Sequence, residues 1–497
     1  MRSLTRNACA SIAQVLASTA ILFFLYRVIL DEIGAELLGV WSIVLATTSA
    51  SRIAELGISN SVTRFVAKYR ARADSRAVND VVQTATLSVS ALLILVLFIA
   101  FPLLLQAFDH IFEGDALAQA QSILPLALIS LMASGISAVS QSGLDGYQRH
   151  DLRAVLAITV QLAYFGAAVW LLPSYGLMGL ALAQVGQGVL AACGGWVLLR
   201  RILPGLPAIP WHWKLETFRE ILAYGLQFQL GSIAMMLFEP LTKALLGRFG
   251  GLSATAYFEM AHQFVSKARQ LIVAANAVVV PVAAGLAETN PRALHDVYRS
   301  NVCMLFVTIL PIYTLVYSWA PTLSELWIGQ YQAQFVYFTY ALAFAWSLNT
   351  YASSAYFLQL GSGRILWNTA SHVWIGLING VIGLTLGPWF GTDAILWGMV
   401  FALVSGSILV TIGFHRVHKV SLRFLLPDHS LGLVISSAIV LASFTYLYGS
   451  LTTTTTIIRY TVCFMFPIIV LFPAIWTNRH SRSLRKHATS LLVSGRA

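Results

Sequence analysis

Residues 37–65 read LLGVWSIVLATTSASRIAELGISNSVTRF: an apolar run that continues into Arg52, Glu55 and Arg64. Taken as one hydrophobic helix, the stretch carries those charges along its second half, and whether it lies in water or in a bilayer decides the fold. The composition answers for the bilayer. Of 497 residues, 58% are hydrophobic and 10% charged, where an ordinary soluble domain has about a quarter of its residues charged. The 13 Trp and 18 Tyr are rings that favour headgroup depth. The net charge of +11 does not signal nucleic acid, because the bases fall in short clusters between apolar runs and never form one solvated face.

Working outward from 37–65, runs near the roughly 20 residues that a spanning helix requires occur about fourteen times along the chain. They fall near 8–30, 37–64, 80–107, 117–141, 154–172, 177–199, 221–247, 254–286, 300–327, 334–360, 366–386, 393–414, 430–449 and 457–476. The charges of the connections test the count. The N-terminus, the tail from 477 and every second connection hold 23 of the 31 Lys and Arg; the alternate connections, apart from Arg248 at a helix end, carry acids such as Asp31, Glu32, Glu36, Asp109, Glu113, Asp115 and Asp393. That is the positive-inside pattern, and it puts both termini in the cytoplasm. The start, with Arg2, Arg6 and ASTA at 17–20, has features of a cleaved leader. Cleavage there would remove the first span and break the alternation, so it reads as an uncleaved first span.

The expected fold is all-α and polytopic, about fourteen transmembrane helices: a six-helix bundle over 1–200, a cytoplasmic linker 201–220, a second six-helix bundle over 221–414, two extra helices within 430–476 and a basic tail 477–497. Sliding the chain by about 216 residues sets Arg27 on Lys243, Gly34 on Gly250 and Trp41 on Tyr257, the internal match that two repeated bundles require.

The connections limit the chemistry. The longest stretch outside the spans is about 20 residues, too short for a domain holding a nucleotide, and no phosphate-cradling Gly-x-x-x-x-Gly-Lys-Ser/Thr occurs. Cys9, Cys193, Cys303 and Cys463 stand singly in apolar segments and read as small hydrophobes. His415 and His418 have ligand-like spacing, but Arg416 and Lys419 beside them repel a cation. No catalytic constellation, cofactor motif or metal site is expected, which leaves transport.

Ionisable groups at membrane depth cost about 2.5 to 3.5 kcal/mol each and normally face a cavity or pair with one another. Arg52 lies roughly 22 Å along its helix from Leu37, and Lys267 and Arg269 lie at a similar depth, about 20 Å along theirs. Glu55 shares the face of Arg52. Glu239 and Lys243, i to i+4, read either as a self-satisfied pair or, with Arg27, as groups of an outer cavity. Glu55, Glu239 and Glu259 are the acids well inside the spans and the candidates for coupling to H+ or Na+. Arg27, Arg64, Arg248 and Arg459, near helix ends, can equally snorkel to headgroups.

The segments 37–74, 224–271, LWIGQYQ at 326–332 and ASSAYFLQLGSGR at 352–364 resemble the polysaccharide, or oligosaccharide repeat-unit, flippases of the multidrug/oligosaccharidyl-lipid/polysaccharide (MOP) exporter superfamily. The resemblance implies twelve core helices in two pseudo-symmetric bundles around a central cavity, followed here by two extra spans, in a bacterial inner membrane. It also implies an undecaprenyl-pyrophosphate-linked glycan as cargo, with Arg52, Lys267 and Arg269 as the matching cations for its pyrophosphate. Fixed cations replace hydration that a doubly charged pyrophosphate loses on leaving water. A cation-coupled exporter of small drugs from the same superfamily is the alternative reading.

Overall fold

The computed structural model describes residues 2–49, 57–229, 233–276, 279–289, 293–421, 425, 427, 430–450 and 456–478. Among them there is no strand, and the fold is that of an all-α polytopic membrane protein. The chain divides into two compact units, Met1–Ala256 and Tyr257–Ala497.

In the first unit, α1 (Arg2–Ser49) is two helices joined at Gly34, whose φ of 76° and ψ of 175° break the helix. The helix expected to run unbroken from 37 through Arg64 does not. α2 (Ile58–Ala71) begins anew after Gly57, which is left-handed at φ 69°, a conformation that glycine adopts without steric cost. The break turns α2 so that Ile58, Val62, Phe65 and Val66 enter a core with Val78, Val81, Val82 and Ala85 of α3 (Ser75–Ile111). Asp74 caps α3 by accepting the Ala77 N–H at 2.9 Å, as an N-terminal acid should. α4 (Gly114–Gly146) packs along α5 (His150–Ile202) through small residues, Gly188 of α5 lying against Ala133 of α4. Close backbone approach of this kind is how helices gain packing where lipid supplies no hydrophobic drive.

α5 has 53 residues, about 80 Å at helical rise and far beyond a bilayer's roughly 30 Å. It holds the two spans expected at 154–172 and 177–199, reversed at Gly176 (φ 52°, ψ −132°). The reversal is tight enough that a Cβ on Gly179 would lie 2.5 Å from the Leu171 carbonyl. After the connection 203–214 come α6 (Leu215–Gln229), α7 (Ile233–Leu245) and a π turn over Leu246–Gly250; the expected span 221–247 covers α6 and α7, with residues 230–232 outside the described ones.

The second unit holds most of α8 (Leu252–Asn276), then α9 (Val279–Thr289), α10 (Ala293–Ile328), α11 (Ala333–Gly361), α12 (Leu366–His418), α13 (Leu431–Ser450) and α14 (Thr456–Thr477). α12 repeats the design of α5: 53 residues reversed at Gly391, with φ 56° and ψ −131°. The two reversals are 215 residues apart, and so are two other positive-φ pairs, Gly114 with Gly329 and Gln148 with Gly363. Gly34 finds its counterpart at Gly251, φ 94°, one residue beyond the Gly250 that the sequence offset selects. The internal repeat is therefore written in turn geometry more clearly than in side chains.

Candidate functional site

In the second unit, α8 presents Lys267 and Arg269 two residues apart. The Arg269 guanidinium lies 4.5 Å from the centre of the Trp346 ring and donates to Asn349 Oδ1 at 3.3 Å. Asn349 in turn donates to Ser407 Oγ at 3.0 Å. Arg269 is thus held in place by α11 and α12, its plane stacked on an aromatic face as guanidinium favours. Lys267, half-buried, makes no hydrogen bond or ion pair among the described residues. Further along α8, Asn276 donates to Ser353 Oγ at 2.8 Å, and Asn301 of α10 donates to Ser354 Oγ at 3.0 Å. Glu259 is buried, accepts the Gln263 side-chain N–H at 2.8 Å, and has a carboxylate oxygen within 4.8 Å of one His262 ring nitrogen.

In the first unit, Glu239 and Lys243 form an i, i+4 ion pair of 2.6 Å with the lysine buried. Arg27 pairs with Asp31 at 2.8 Å on an exposed part of α1. Arg52 and Glu55 lie outside the described residues. Among the glutamines within the helices, Gln187 donates to Gln161 Oε1 at 3.4 Å, and the side chains of Gln227 and Gln229 lie outside the described ones.

Three arrangements escape a residue-by-residue reading. First, α2 crosses α6: Ser61 donates to the Ile221 carbonyl at 2.9 Å, the Arg64 guanidinium sits 4.1 Å over the Tyr224 ring, and Tyr69 donates to Glu220 at 3.3 Å. Burial, reinforced by the Glu220 carboxylate, raises the Tyr69 phenol above its ordinary range, so its proton stays available to donate. Residues 57, 61, 65 and 69 do share one helical face in the sequence, but their partners are about 160 residues away. Second, Glu325 at the end of α10 accepts from Tyr448 at 2.7 Å and pairs with Arg459, binding both α13 and α14 to the unit. Third, a groove of about 470 Å³ lies between α10, α11 and α13, lined by Phe306, Tyr313, Tyr317, Phe344, Tyr351 and Leu441 among others. Its lining is mostly hydrocarbon and aromatic.

The same architecture recurs in known proteins. A family model described as "Polysaccharide biosynthesis protein" matches residues 4–287. Among solved structures, the lipid II flippase MurJ in an inward closed conformation has a TM-score of 0.69 at 12% identity, covering 94% of this chain and 97% of that one. An inward-facing multidrug resistance MATE family transporter of the MOP superfamily has a TM-score of 0.66 at 15% identity, covering 82% and 98%. A MOP superfamily transporter from Pyrococcus furiosus, described as having a binding pocket of reverse polarity, has a TM-score of 0.51 at 14% identity, covering 84% and 94%. At these identities the likeness is one of fold. No protein of curated function matches the chain.

Proposed function

Because this chain belongs to the polysaccharide biosynthesis protein family, we propose that it flips an undecaprenyl-pyrophosphate-linked oligosaccharide repeat unit from the cytoplasmic to the periplasmic leaflet of a bacterial inner membrane. The mode is alternating access, the product pathway is that of an exopolysaccharide, capsule or O-antigen, and no bond is made or broken by the carrier. The observation that carries the reading is Lys267. An ammonium at membrane depth with no counter-charge among the described residues is costly unless something anionic occupies the site for part of the cycle. Arg269 beside it is pre-oriented by Trp346 and Asn349, so little side-chain entropy is lost when a phosphate oxygen arrives. The aromatic groove of α10, α11 and α13 supports a cargo with a long hydrocarbon tail, since it leaves the tail in apolar surroundings while the charged head is carried.

Arg52 is the third proposed cation for the pyrophosphate. Arg27, Glu239 and Lys243 are proposed to face the outer part of the path. Glu259, with Glu55 and Glu239, is the proposed group for H+ or Na+ coupling; among these Glu259 is buried with an amide donor and an imidazole nitrogen close by, a carboxylate placed to take a proton or a small cation.

The test is reconstitution. Purified protein in proteoliposomes should translocate a fluorescent undecaprenyl-pyrophosphate-linked glycan faster than empty liposomes, and Lys267→Ala or Arg52→Ala should slow it at least ten-fold. Ethidium transport without glycan transport in the same vesicles would replace this reading with the small-drug exporter.

A further inference from the structure

Residues 201–220 look like a solvated linker in the sequence, yet the stretch 204–214 is laid along α3 and fastened to it. Asn79 donates to the Pro204 carbonyl at 3.2 Å, and Gln83 Oε1 accepts the backbone N–H groups of both Trp211 and His212 at 3.3 Å. Thr84 Oγ1 accepts the Lys214 N–H at 3.2 Å, Trp213 Nε1 donates to Ser88 Oγ at 2.9 Å, and Lys214 pairs with Asp80. From α5, Trp196 Nε1 donates to the Pro207 carbonyl and the Arg200 Nε–H to the Leu206 carbonyl, both at 3.1 Å. Buried Leu203 and Leu206 complete the seat. Polar side chains at five positions in the first turns of α3 are thus occupied in holding this segment.

Its outer side is apolar. Ile209 is 75% exposed and Trp211 77%, with the Trp213 ring and Leu215 also open. Where that side faces follows from α3. Residues 80, 84 and 88 lie on one helical face, and the same face continues at i+3 and i+4 through 91, 95 and 98. There Leu95 and Phe98 are exposed, Phe98 at 79%, on a helix apolar enough to cross a membrane. An exposed apolar face on such a helix suits contact with lipid. The segment lies along that same face of α3, roughly 24 Å along the helix from Leu95 where Asn79 holds Pro204 and roughly 10 Å where Ser88 holds Trp213, a placement suited to the zone where hydrocarbon gives way to headgroups. Large rings are most stable at that depth. Exposed Arg201 and Arg219 flank the segment and suit anionic headgroups.

We propose that segment 204–214 is an interfacial anchor: Ile209 and Trp211 insert into the cytoplasmic leaflet at the headgroup–acyl boundary, and Arg201 and Arg219 engage anionic phospholipid headgroups beside them. The anchor fixes the start of α6, the helix that α2 crosses, and it does so whatever the cargo.

The test uses the full chain with Cys9, Cys193, Cys303 and Cys463 replaced by Ala, in nanodiscs of three parts phosphatidylethanolamine to one part phosphatidylglycerol. A nitroxide is placed by Ile209→Cys or Trp211→Cys, with Arg72→Cys in the α2–α3 turn as the aqueous reference. Collisions with oxygen should dominate over those with a soluble nickel chelate at 209 and 211, by a ratio several-fold above that at 72. A ratio equal to that at 72 means a solvated loop and overturns the proposal. Shielding from both reagents, with spin–spin broadening between labels, means that a second copy covers this face and overturns it equally. Arg201→Gln with Arg219→Gln, or phosphatidylcholine in place of phosphatidylglycerol, should raise nickel access at 209; no change in either removes the anionic lipid from the proposal. Ile209 is 75% exposed and takes no part in the hydrogen bonds that seat the segment, so its label reports even where a label at 211 disturbs the docking.

Discussion

A Cβ built on Gly57 would lie 2.6 Å from the carbonyl oxygen of Gly225, so α2 and α6 meet at a separation that no side chain permits. Gly57 is also left-handed. Gly57→Ala meets both penalties, strain of about 1 to 2 kcal/mol and a backbone clash that has to be relieved by parting the helices. Gly363→Ala is the control, since Gly363 has a φ of +74° but nothing within 4 Å of where its methyl group would stand. Thermal unfolding in detergent should show a clearly larger loss for Gly57→Ala, roughly 3 kcal/mol in all. Equal losses would mean that α2 and α6 separate freely.

Gly176 and Gly391 turn α5 and α12 back on themselves at nearly the same φ and ψ, in a region that residues with a Cβ scarcely enter. Alanine at either position should cost about 1 to 3 kcal/mol, by similar amounts at the two sites, and the double variant should lose the sum, because each turn acts within its own unit. Melting temperatures of the three variants check this. A strongly unequal pair would show that the repeat in geometry is not a repeat in energetics.

Lys243 is buried beside Glu239. Glu239→Gln removes the carboxylate paired with that ammonium at 2.6 Å and should destabilise by about 2 kcal/mol, less than a fully enclosed pair because Glu239 is itself half-exposed. Adding Lys243→Met should return most of that stability. Protein yield and melting temperature are the readouts, and failure of the second change to rescue the first would show that the pair is not the main partner of either group.

Lys267 and Arg269 should separate by what they lose. Lys267→Ala is expected to leave the melting temperature nearly unchanged, since no hydrogen bond or ion pair among the described residues is removed, while flipping falls at least ten-fold, the equivalent of one charge-assisted phosphate contact. Arg269→Ala should lower both, because Trp346 and Asn349 lose their partner. Arg269→Lys should keep part of the transport but not the stability, as an ammonium cannot reproduce the stacked fork. Unimpaired flipping in Lys267→Ala would remove the pyrophosphate role.

The alternation of basic and acidic connections predicts that Arg72, His150, Lys214 and Arg485 are cytoplasmic. Single cysteines at these positions in a cysteine-free background should stay unlabelled by an impermeant maleimide in intact cells and react after permeabilisation. Labelling in intact cells at any of them would invert the topology at that point.

Much of the fold was legible because a bilayer reads composition directly. Span lengths, their number and the alternation of charge follow from hydrophobic thickness and the positive-inside rule, which depend on nothing but local sequence. The Glu239–Lys243 contact was open to local reasoning for the same reason, since residues four apart on a helix are neighbours wherever the helix lies. The helix drawn through Arg64 was not, because its interruption at Gly57 is set by the backbone of Gly225.

The sequence by itself determined that this is a polytopic, all-α membrane protein and roughly where its apolar helices run. Only the tertiary structure decided where helices are interrupted and which partners the polar side chains find. Arg269 is held by Trp346 and Asn349, about 80 positions away, and Asn79, Asp80, Gln83, Thr84 and Ser88 serve a segment more than 120 positions on. A polar side chain in an apolar helix has to find a partner, and the sequence states that need in full. Which partner meets it depends on helix crossings built from packing over the whole unit, and that information is spread across the chain rather than written at either end of the contact.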